Sequence, residues 1–263
     1  MNSITLTTDF GLKDGNVGVM KGVILGIAPQ AQIVDLSHLI QAQDILEAAL
    51  VLRRSAPYFP AGTIHVVVVD PGVGTQRRPL GARIGSHFYV GPDNGTITML
   101  VEYARVHDWR MEFFLLDRPD TWLEPVSNVF HGRDIFAPVA AHLANGTPLN
   151  ELGTVITDPV LLHLPHPMPT ATGWVGEVIH IDHFGNISTN INEHHLSSPG
   201  VRVRIGGAVL DGLVRTFGEG KPGELVALFG STGSLIVSEV NGNASERLKI
   251  RVGAAVTVEK LAR

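Results

Sequence analysis

The sequence around residue 70 reads Val66-Val67-Val68-Val69-Asp70-Pro71-Gly72-Val73-Gly74, and the expected architecture of the N-terminal half follows from it. Four consecutive β-branched apolar residues are typical of a strand buried on both faces of a parallel sheet. Proline and two glycines then end the strand and permit a tight turn. Asp70 therefore lies at the carboxyl end of a core strand, where open α/β sheets place their ligands. Arg77 is close enough to fold back on Asp70, although this stretch alone is equally compatible with a plain turn and a surface arginine.

Strand-like and helix-like segments alternate on both sides of this strand. Residues 4–8 alternate apolar residues with threonine, as a half-buried strand does. Residues 17–28 place apolar residues at helical spacing, and Asp44 with Glu47 forms a capping-box-like start for a second helix. This alternation predicts a three-layer α/β domain, which we expect to span residues 1–158.

The character of the sequence changes after residue 158. Residues 159–172 contain four prolines and predict a linker or an extended crossing strand. Residues 173–263 hold short apolar runs separated by glycines, without a convincing helical period. The expected fold class is therefore α/β, with an N-terminal three-layer α/β domain followed by a C-terminal all-β barrel domain.

The overall composition excludes several kinds of function. The 263 residues are 44% hydrophobic and 17% charged, which permits a substantial core. The net charge of −5, without a basic stripe, argues against nucleic acid as the main partner. Because the chain has no cysteine, disulfides, zinc–thiolate sites and thiol nucleophiles are excluded.

The sequence shows no targeting signal and no metal-binding signal. The first residues lack a basic and then apolar leader, and no apolar run reaches the ~18 residues of a membrane span. We therefore expect a cytoplasmic protein without a membrane partner. His194 and His195 are adjacent but have no acidic partner at a metal-ligand spacing, so no metal site is expected.

Two polar motifs in the N-terminal half could carry chemistry. Thr8-Asp9-Phe10-Gly11 follows the first strand, and its carboxylate and that of Asp14 could accept hydrogen bonds from ribose hydroxyls or an ammonium group. Phe130-His131-Gly132-Arg133-Asp134 stands at a helix start, and a histidine there can act as a general base or orient a water. The structural alternatives are a polar turn for the first motif and a helix-capping ion-pair cluster for the second.

Three polar segments in the C-terminal half could form a small-molecule site. Residues 181–190 are dense in side-chain donors and acceptors, as such a site requires. Phe229-Gly230-Ser231-Thr232-Gly233 and Asn241-Gly242-Asn243-Ala244 combine glycine with serine and asparagine, and so expose backbone groups suited to the edge of a base. Loops and hairpin turns between strands are the plain alternative for all three.

Taken together and in this order, the motifs resemble one family, the S-adenosyl-L-methionine (SAM) hydroxide adenosyltransferases, which are relatives of the fluorinases and chlorinases. The resemblance covers essentially the whole chain. It implies the two-domain architecture given above and a homotrimer, whose substrate lies between the N-terminal domain of one subunit and the C-terminal domain of the next. The matching segments are Thr8-Asp9-Phe10-Gly11 with Asp14, Asp70-Pro71-Gly72-Val73-Gly74-Thr75 with Arg77, Phe130-His131-Gly132-Arg133-Asp134, Asp182-His183-Phe184-Gly185-Asn186 and Asn241-Gly242-Asn243-Ala244.

The resemblance also implies a catalytic triad. The hydrolase branch of the family carries an Asp-Arg-His triad, which maps onto Asp70, Arg77 and His131. Arg78 adjoins Arg77, and only the family spacing selects between them. The halogenases lack this triad, and Gly132 stands where the fluorinase has a halide-binding serine. A carboxylate beside the attack site would also repel a halide, so water is the expected nucleophile.

The same resemblance implies substrate contacts at further positions. Gln43 occupies the position at which the halogenases stack an aromatic ring on the substrate, so this chain departs from the family pattern there. The implied contacts are Asp9 for the ribose, Asp14 and Asn16 for the methionine part, Asp182 for its amine, Asn186 for the adenosine, Ser231 for the methionine carboxylate, and Asn243 and Ala244 for the adenine through their backbone.

The expected reaction is hydrolysis of SAM to adenosine and L-methionine, by attack of water or hydroxide at the 5′ carbon. The sulfonium leaves as a neutral thioether and needs no general acid, whereas the water must lose a proton and be aimed along the C–S axis. Asp70, Arg77 and His131 could share this task, and the sequence leaves open which of them is the base. No cofactor is expected, because SAM is the substrate. The alternatives are a SAM-dependent halogenase of the same fold and a non-catalytic protein that binds adenosine or SAM.

Overall fold

The computed structural model describes residues 3–196 and 200–261. Its internal contacts divide the chain into two units, with the division between Leu162 and His163. The proline-rich segment 159–172 is thus shared between the units, and Met168–Pro169 within it forms a short strand.

The first unit contains a mixed sheet with helices on both faces. Within residues 3–162 the seven strands have the order β2-β1-β3-β5-β4-β6-β7, and β1, β2, β3 and β5 run parallel. The strands are β1 (Ser3–Thr8), β2 (Gln32–Ser37), β3 (Ile64–Val68), β4 (Pro79–Ile84), β5 (His87–Pro92), β6 (Met111–Leu115) and β7 (Thr154–Ile156), and the helices are α1 (Asn16–Ile27), α2 (Ile45–Ser55), α3 (Thr98–Val106), α4 (Ala137–Ala144) and α5 (Leu149–Leu152).

Strand β3 is central in this sheet, and all of its residues are buried. Successive side chains of a strand point to opposite faces. Val66 and Val68 accordingly belong to a core shared with α1 and α4, whereas Val67 and Val69 belong to a second core shared with α2 and α3. Each valine buried in this way contributes roughly 1.5–3 kcal/mol of transfer free energy. The two cores confirm the predicted three-layer α/β domain.

The sheet is not parallel throughout. Strands β4 and β5 form an antiparallel hairpin whose turn contains Gly85 at a φ of 57°, a left-handed conformation that favours glycine. Strands β6 and β7 continue this antiparallel part of the sheet. The sequence predicted strand structure near residues 81–90 but not its direction, because the apolar pattern of a buried strand is the same in both orientations.

The second unit is an antiparallel, nearly closed barrel-like sheet around one core, as predicted. Its strand order is β12-β11-β15-β9-β10-β14-β13, with β8 paired to β9. The sequence analysis missed one short helix, α6, which begins directly after Asn243. The elements are β8 (Met168–Pro169), β9 (Gly173–Ile181), β10 (Ile187–Asn192), β11 (Val201–Ile205), β12 (Ala208–Asp211), β13 (Leu225–Phe229), β14 (Ser234–Glu239), α6 (Ala244–Leu248) and β15 (Ala255–Lys260).

Over the ranges that the structure describes, every helix is too short or too polar to cross a lipid bilayer.

Two buried histidines lie near the beginning of β3 and β5, at the end of the sheet away from Asp70. His65 Nδ1 is 2.8 Å from Thr5 Oγ1, and His65 Nε2 is 3.3 Å from His87 Nδ1. Burial, and then the neighbouring His87, lower the pKa of His65 to about 3. Burial also lowers the pKa of His87. The His65 imidazole therefore stays neutral in the folded protein well below pH 6.5, and the His87 imidazole binds a proton less readily than a free imidazole does.

We expect this pair to make the fold acid-sensitive. The unfolded chain binds a proton at His65 below pH 6.5 and the folded chain does not, so stability is fully present above pH 6.5 and is lost as pH falls toward 3. Between pH 6.5 and 5, His65 alone lowers the free energy of unfolding by about 2 kcal/mol. Urea unfolding at pH 5, 6, 7 and 8 measures this. His65→Asn, which can still bond to Thr5, should unfold with a flatter pH dependence, and equal slopes in the two proteins would contradict the assignment.

Candidate active site

The carboxyl end of β3 carries the residue from which the site is built. Asp70 comes two residues after β3 ends at Val68. The turn after it returns the chain toward the sheet through bonds from Val73 N to Asp70 O and from Thr75 N to Gly72 O, both 3.2 Å long. Gly74 has a φ of 74°, and a Cβ there would lie 2.1 Å from the carbonyl oxygen of Asn128. Only glycine fits this turn, and the turn brings Arg77 back to Asp70.

Asp70 and Arg77 form a buried, two-bonded ion pair. Arg77 Nε donates to Asp70 Oδ1 at 3.0 Å, and Arg77 Nη2 donates to Asp70 Oδ2. The two side chains are only 5% and 6% exposed, so solvent screens the pair weakly. A paired geometry of this kind fixes the orientation of the carboxylate as well as its charge.

His131 is joined to the same arginine. Arg77 Nη2 lies 2.9 Å from His131 Nδ1. A guanidinium can only donate, so Nδ1 must accept, and the hydrogen of the neutral imidazole is then on Nε2. Burial, and then the nearby charge of Arg77, lower the pKa of His131. The sequence-predicted residues Asp70, Arg77 and His131 are thus one connected network, with Arg77 at its centre.

A π-helical turn, Gly132–Phe136, places His131 before helix α4. Such turns are rare and often occur at functional sites. Arg133 Nε donates to Asp134 Oδ1 at 2.5 Å, and the buried Asp134 also accepts a hydrogen bond from Ser127 N at 2.8 Å. These two residues therefore form the local ion pair that was the structural alternative for this motif, whereas His131 points to Arg77 instead.

A cavity of about 250 Å³ opens beside this network. Asp70 and His131 are on its wall, but Arg77 is not, so the arginine acts on the cavity through its two partners. Sequence reasoning did not single out the aromatic wall, where Phe10 and Phe130 pack edge to face at 5.7 Å, although both residues lie in the quoted motifs. The full lining is Asp9, Phe10, Gln43, Val68, Asp70, Pro71, Val73, Val129, Phe130, His131 and Gly132.

Three further candidates belong to the first unit. Asp9 is on the cavity wall, and its Oδ2 accepts a hydrogen bond from Gln43 N at 2.8 Å. Its Oδ1 accepts none from the described part of the chain, so one carboxylate oxygen is available to a ligand. Asp14 and Asn16 are exposed near the start of α1 and are not part of the cavity wall.

The candidates of the second unit fall into two places. Asp182 Oδ1 accepts from Asn186 N at 2.9 Å, Asn186 Nδ2 donates to Asp182 Oδ2 at 2.8 Å, and Ser238 Oγ donates to Asn186 Oδ1 at 2.6 Å. Asn243 caps helix α6 through Glu246 N, and the adjoining Ser245 N donates to Gly185 O at 3.0 Å. Asp182, Asn186, Asn243 and Ala244 are thereby brought together in one corner.

Ser231 lies elsewhere, in the exposed turn between β13 and β14. Strand β14 pairs with β10 so that Ser234 is opposite Asn192, at the end of β10 away from Asn186. The rise of a strand separates the two ends of β10 by roughly 17 Å. A single ligand reaches both places in this unit only if it is extended.

Over residues 3–196 and 200–261, no group of three or more histidine or acidic side chains is arranged to hold a metal ion.

Two protein-family models match the chain over most of its length. The SAM hydroxide adenosyltransferase N-terminal domain matches residues 4–153, and the C-terminal domain of the same family matches residues 176–257. The chain belongs to this family. The match confirms the resemblance read from the motifs. Asp70, Arg77, His131 and the other candidates of the first unit lie within residues 4–153, and the candidates of the second unit lie within residues 176–257.

Relatives in the SAM hydroxide adenosyltransferase family carry two different names. A protein named (R)-S-adenosyl-L-methionine hydrolase from Salinispora tropica is 40% identical to this chain, and the match covers 97% of each. A protein of the same name from Thermus thermophilus is 41% identical, and the match covers 97% of this chain and 99% of the relative. A fluorinase from Actinoplanes is 30% identical, covering 98% of this chain and 97% of its own. The crystal structure of an uncharacterized conserved protein from Thermotoga maritima superposes with a TM-score of 0.88 at 35% identity, covering 98% of this chain and all of that one.

Proposed function

We propose that this protein hydrolyses SAM to adenosine and L-methionine. The observation that carries the proposal is the Asp70–Arg77–His131 network, which presents a carboxylate and an imidazole to one cavity. The hydrolase-named relatives are more similar to the chain, at 40% and 41% identity, than the fluorinase at 30%.

The roles of the three residues follow from their hydrogen bonds. Each oxygen of Asp70 takes one bond from Arg77 and keeps a lone pair, so the carboxylate can accept a proton from a water in the cavity. His131 Nε2–H donates to that water and aims its oxygen. Arg77 holds both groups in place and cannot accept a proton itself. We therefore assign the base to Asp70 and the orienting donor to His131.

The bond changes then balance without a further reagent. The water oxygen bonds to the 5′ carbon, the C–S bond breaks with its electron pair moving to sulfur, and the water proton passes to Asp70. The cationic sulfonium becomes a neutral thioether, so no protonated group is required on the leaving side. Fixing the water in line with the C–S bond supplies a large part of the rate, as positioning does in other displacements.

The test of the function is a product assay with SAM in water enriched in ¹⁸O. Adenosine and methionine should form, with ¹⁸O in the 5′-hydroxyl of adenosine. Parallel reactions with chloride and fluoride test the halogenase alternative, for which 5′-halo-adenosine would be the product. Stoichiometric binding without turnover would support the non-catalytic alternative, and absence of both products would overturn the hydrolase proposal.

We further propose that the chain acts as a homotrimer, in which the second unit of a neighbouring subunit completes the site. Large apolar side chains are exposed on the first unit, with Leu12 and Leu39 at 70% and 72%, and Val129 on the cavity wall at 77%. Exposed apolar side chains close to a site are typical of an interaction surface. On this proposal Asn186, Asn243 and Ala244 contact the adenosine, and Asp182 and Ser231 contact the methionine part.

Subunit mixing tests the shared site. Asp70→Asn and Asn186→Ala should each be nearly inactive alone, because each lacks one part of every site. Mixed subunits should recover activity, since a trimer then contains a site with two intact contributors. Sedimentation should give about three times the 28.2 kDa of the chain. A monomer, or mixtures no more active than their components, would contradict the proposal.

A further inference from the structure

A chain of polar side chains lies behind Asp9, and we call Thr8, His38, Asp35 and Lys21 the His38 chain. Thr8 Oγ1 is 2.9 Å from His38 Nδ1. His38 Nε2 is 3.0 Å from Asp35 Oδ1, in a geometry too bent for a full hydrogen bond, and Lys21 Nζ donates to Asp35 Oδ2 at 2.6 Å. Thr8 and His38 are 0% and 4% exposed. The mechanism proposed above uses none of these four side chains.

The His38 chain holds the backbone directly after Asp9, and the pairing of Thr8 with Val68 of β3 holds the residue before it. Phe10 N donates to Thr8 Oγ1 at 3.2 Å, and Gly11 N donates to the carbonyl oxygen of His38 at 2.8 Å. The two peptide groups that follow Asp9 are therefore both fixed. Its own Oδ2 is held from the far side by Gln43 N, and Gln43 adopts a φ of 68°, a left-handed conformation that a non-glycine residue rarely takes.

The hydrogen-bond directions in the chain are consistent with one another. Because Thr8 Oγ1 accepts from Phe10 N, its hydroxyl hydrogen is free to be donated to His38 Nδ1. The hydrogen of the neutral imidazole is then on Nε2, which faces the Asp35 carboxylate. Partial burial acts to raise the pKa of Asp35, but Lys21 and His38 outweigh it and lower that pKa, so the carboxylate stays charged.

We propose that His38 is a positioning residue for nucleoside recognition, which fixes the loop of residues 8–11 so that the free Oδ1 of Asp9 meets a ribose hydroxyl. This inference rests on the proposed function, since it takes Asp9 to be a nucleoside contact. His38 itself is not on the cavity wall and acts through Thr8 and through its own carbonyl oxygen. A carboxylate can select one of two neighbouring ribose hydroxyls only if its orientation is fixed. The His38 chain fixes the backbone that carries the Asp9 carboxylate.

The protein provides a matched control for this pair. Thr5, on the same strand β1, bonds through Oγ1 to the buried His65 Nδ1 at 2.8 Å. The chemistry and burial match those of Thr8 and His38, and all four residues lie off the cavity wall. The difference is that Thr8 also bonds to Phe10 N, next to Asp9. Thr5→Val and Thr8→Val therefore both remove a buried threonine–histidine hydrogen bond, and Thr8→Val also removes the bond to Phe10 N next to Asp9.

Adenosine titration calorimetry, together with steady-state turnover of SAM, tests the proposal. Thr8→Val and His38→Ala should weaken adenosine binding about tenfold, the size expected for one lost hydrogen bond. They should raise KM more than they lower kcat. Thr8→Ser and His38→Asn, which keep a polar atom at the same place, should bind nearly as wild type does. Thr5→Val should lose thermal stability to a similar degree and keep the wild-type affinity.

The double variant Thr8→Val with His38→Ala should bind no more weakly than Thr8→Val alone, because Thr8→Val already removes the link to His38. Additive losses, or equal adenosine affinities for Thr8→Val and Thr5→Val, would overturn the role of His38. A wild-type protein that binds neither adenosine nor SAM would instead overturn the proposed function.

Discussion

Replacing Asp70 by asparagine should reduce turnover of SAM by about a thousandfold, within the range observed when a positioned base is removed. Asparagine keeps the size of the side chain and still offers Arg77 one oxygen, but it cannot take a proton from water. Affinity for adenosine should change less than about threefold, because Asp9 rather than Asp70 is assigned to the nucleoside. Single-turnover product formation and calorimetric titration with adenosine separate the two quantities.

Asp93 is the matched control for Asp70. Its side chain is fully buried and paired with Arg78, next to Arg77 in sequence, but it is not part of the cavity wall. Asp93→Asn weakens the contact of a buried carboxylate with a partly exposed arginine, so it should lower the free energy of unfolding while the folded fraction keeps its turnover number. A turnover number for Asp70→Asn within tenfold of wild type would remove Asp70 from the mechanism.

Replacing Arg77 by methionine should lower the free energy of unfolding by about 3–5 kcal/mol, the cost of leaving a buried charge without its partner. Both partners of Arg77 are affected, since Asp70 loses two hydrogen bonds and His131 loses the donor that fixes its ring. Turnover should fall as severely as in Asp70→Asn. Urea unfolding at pH 7 gives the free energy, and the product assay gives the activity.

The double variant Asp70→Leu with Arg77→Met separates folding from chemistry. Because both charges are then absent, it should recover much of the stability lost in Arg77→Met, as replacement of whole buried ion pairs often does. It should remain inactive. A double variant that is as unstable as Arg77→Met would show that the ion pair is not the source of the loss.

The N-terminal fold was predictable where a single physical cause dominates. Residues 66–69 are β-branched and apolar, and a strand with both faces covered is the only place that buries all four; Val67 and Val69 indeed face one core while Val66 and Val68 face the other. Asp70 at the end of that strand followed from the turn residues. Its closeness to His131 did not, because 61 positions separate them and no local pattern encodes that contact.

Other features depend on contacts that sequence patterns do not contain. Arg133 and Asp134 were grouped with His131 by proximity in sequence, but they pair with each other within the π-helical turn, whereas His131 contacts Arg77. Ser231 and Asn243 are close in sequence, yet the register of β14 on β10 places them toward opposite ends of a strand. His38 gave no signal, since an isolated histidine after a short strand is ordinary. Its contact with Thr8 joins the residue that follows β2 to the last residue of β1.

The central position of Arg77 limits where protons can travel. A guanidinium has no lone pair to receive a proton, so Arg77 insulates Asp70 from His131 even though it bonds to both. The network is therefore a dead end for proton transfer into the protein interior. A proton taken up by Asp70 must return through the mouth of the cavity, the same opening by which the next water enters. The exchange of products for new water and substrate after each turnover therefore also lets Asp70 lose its proton, so that it can act as a base again.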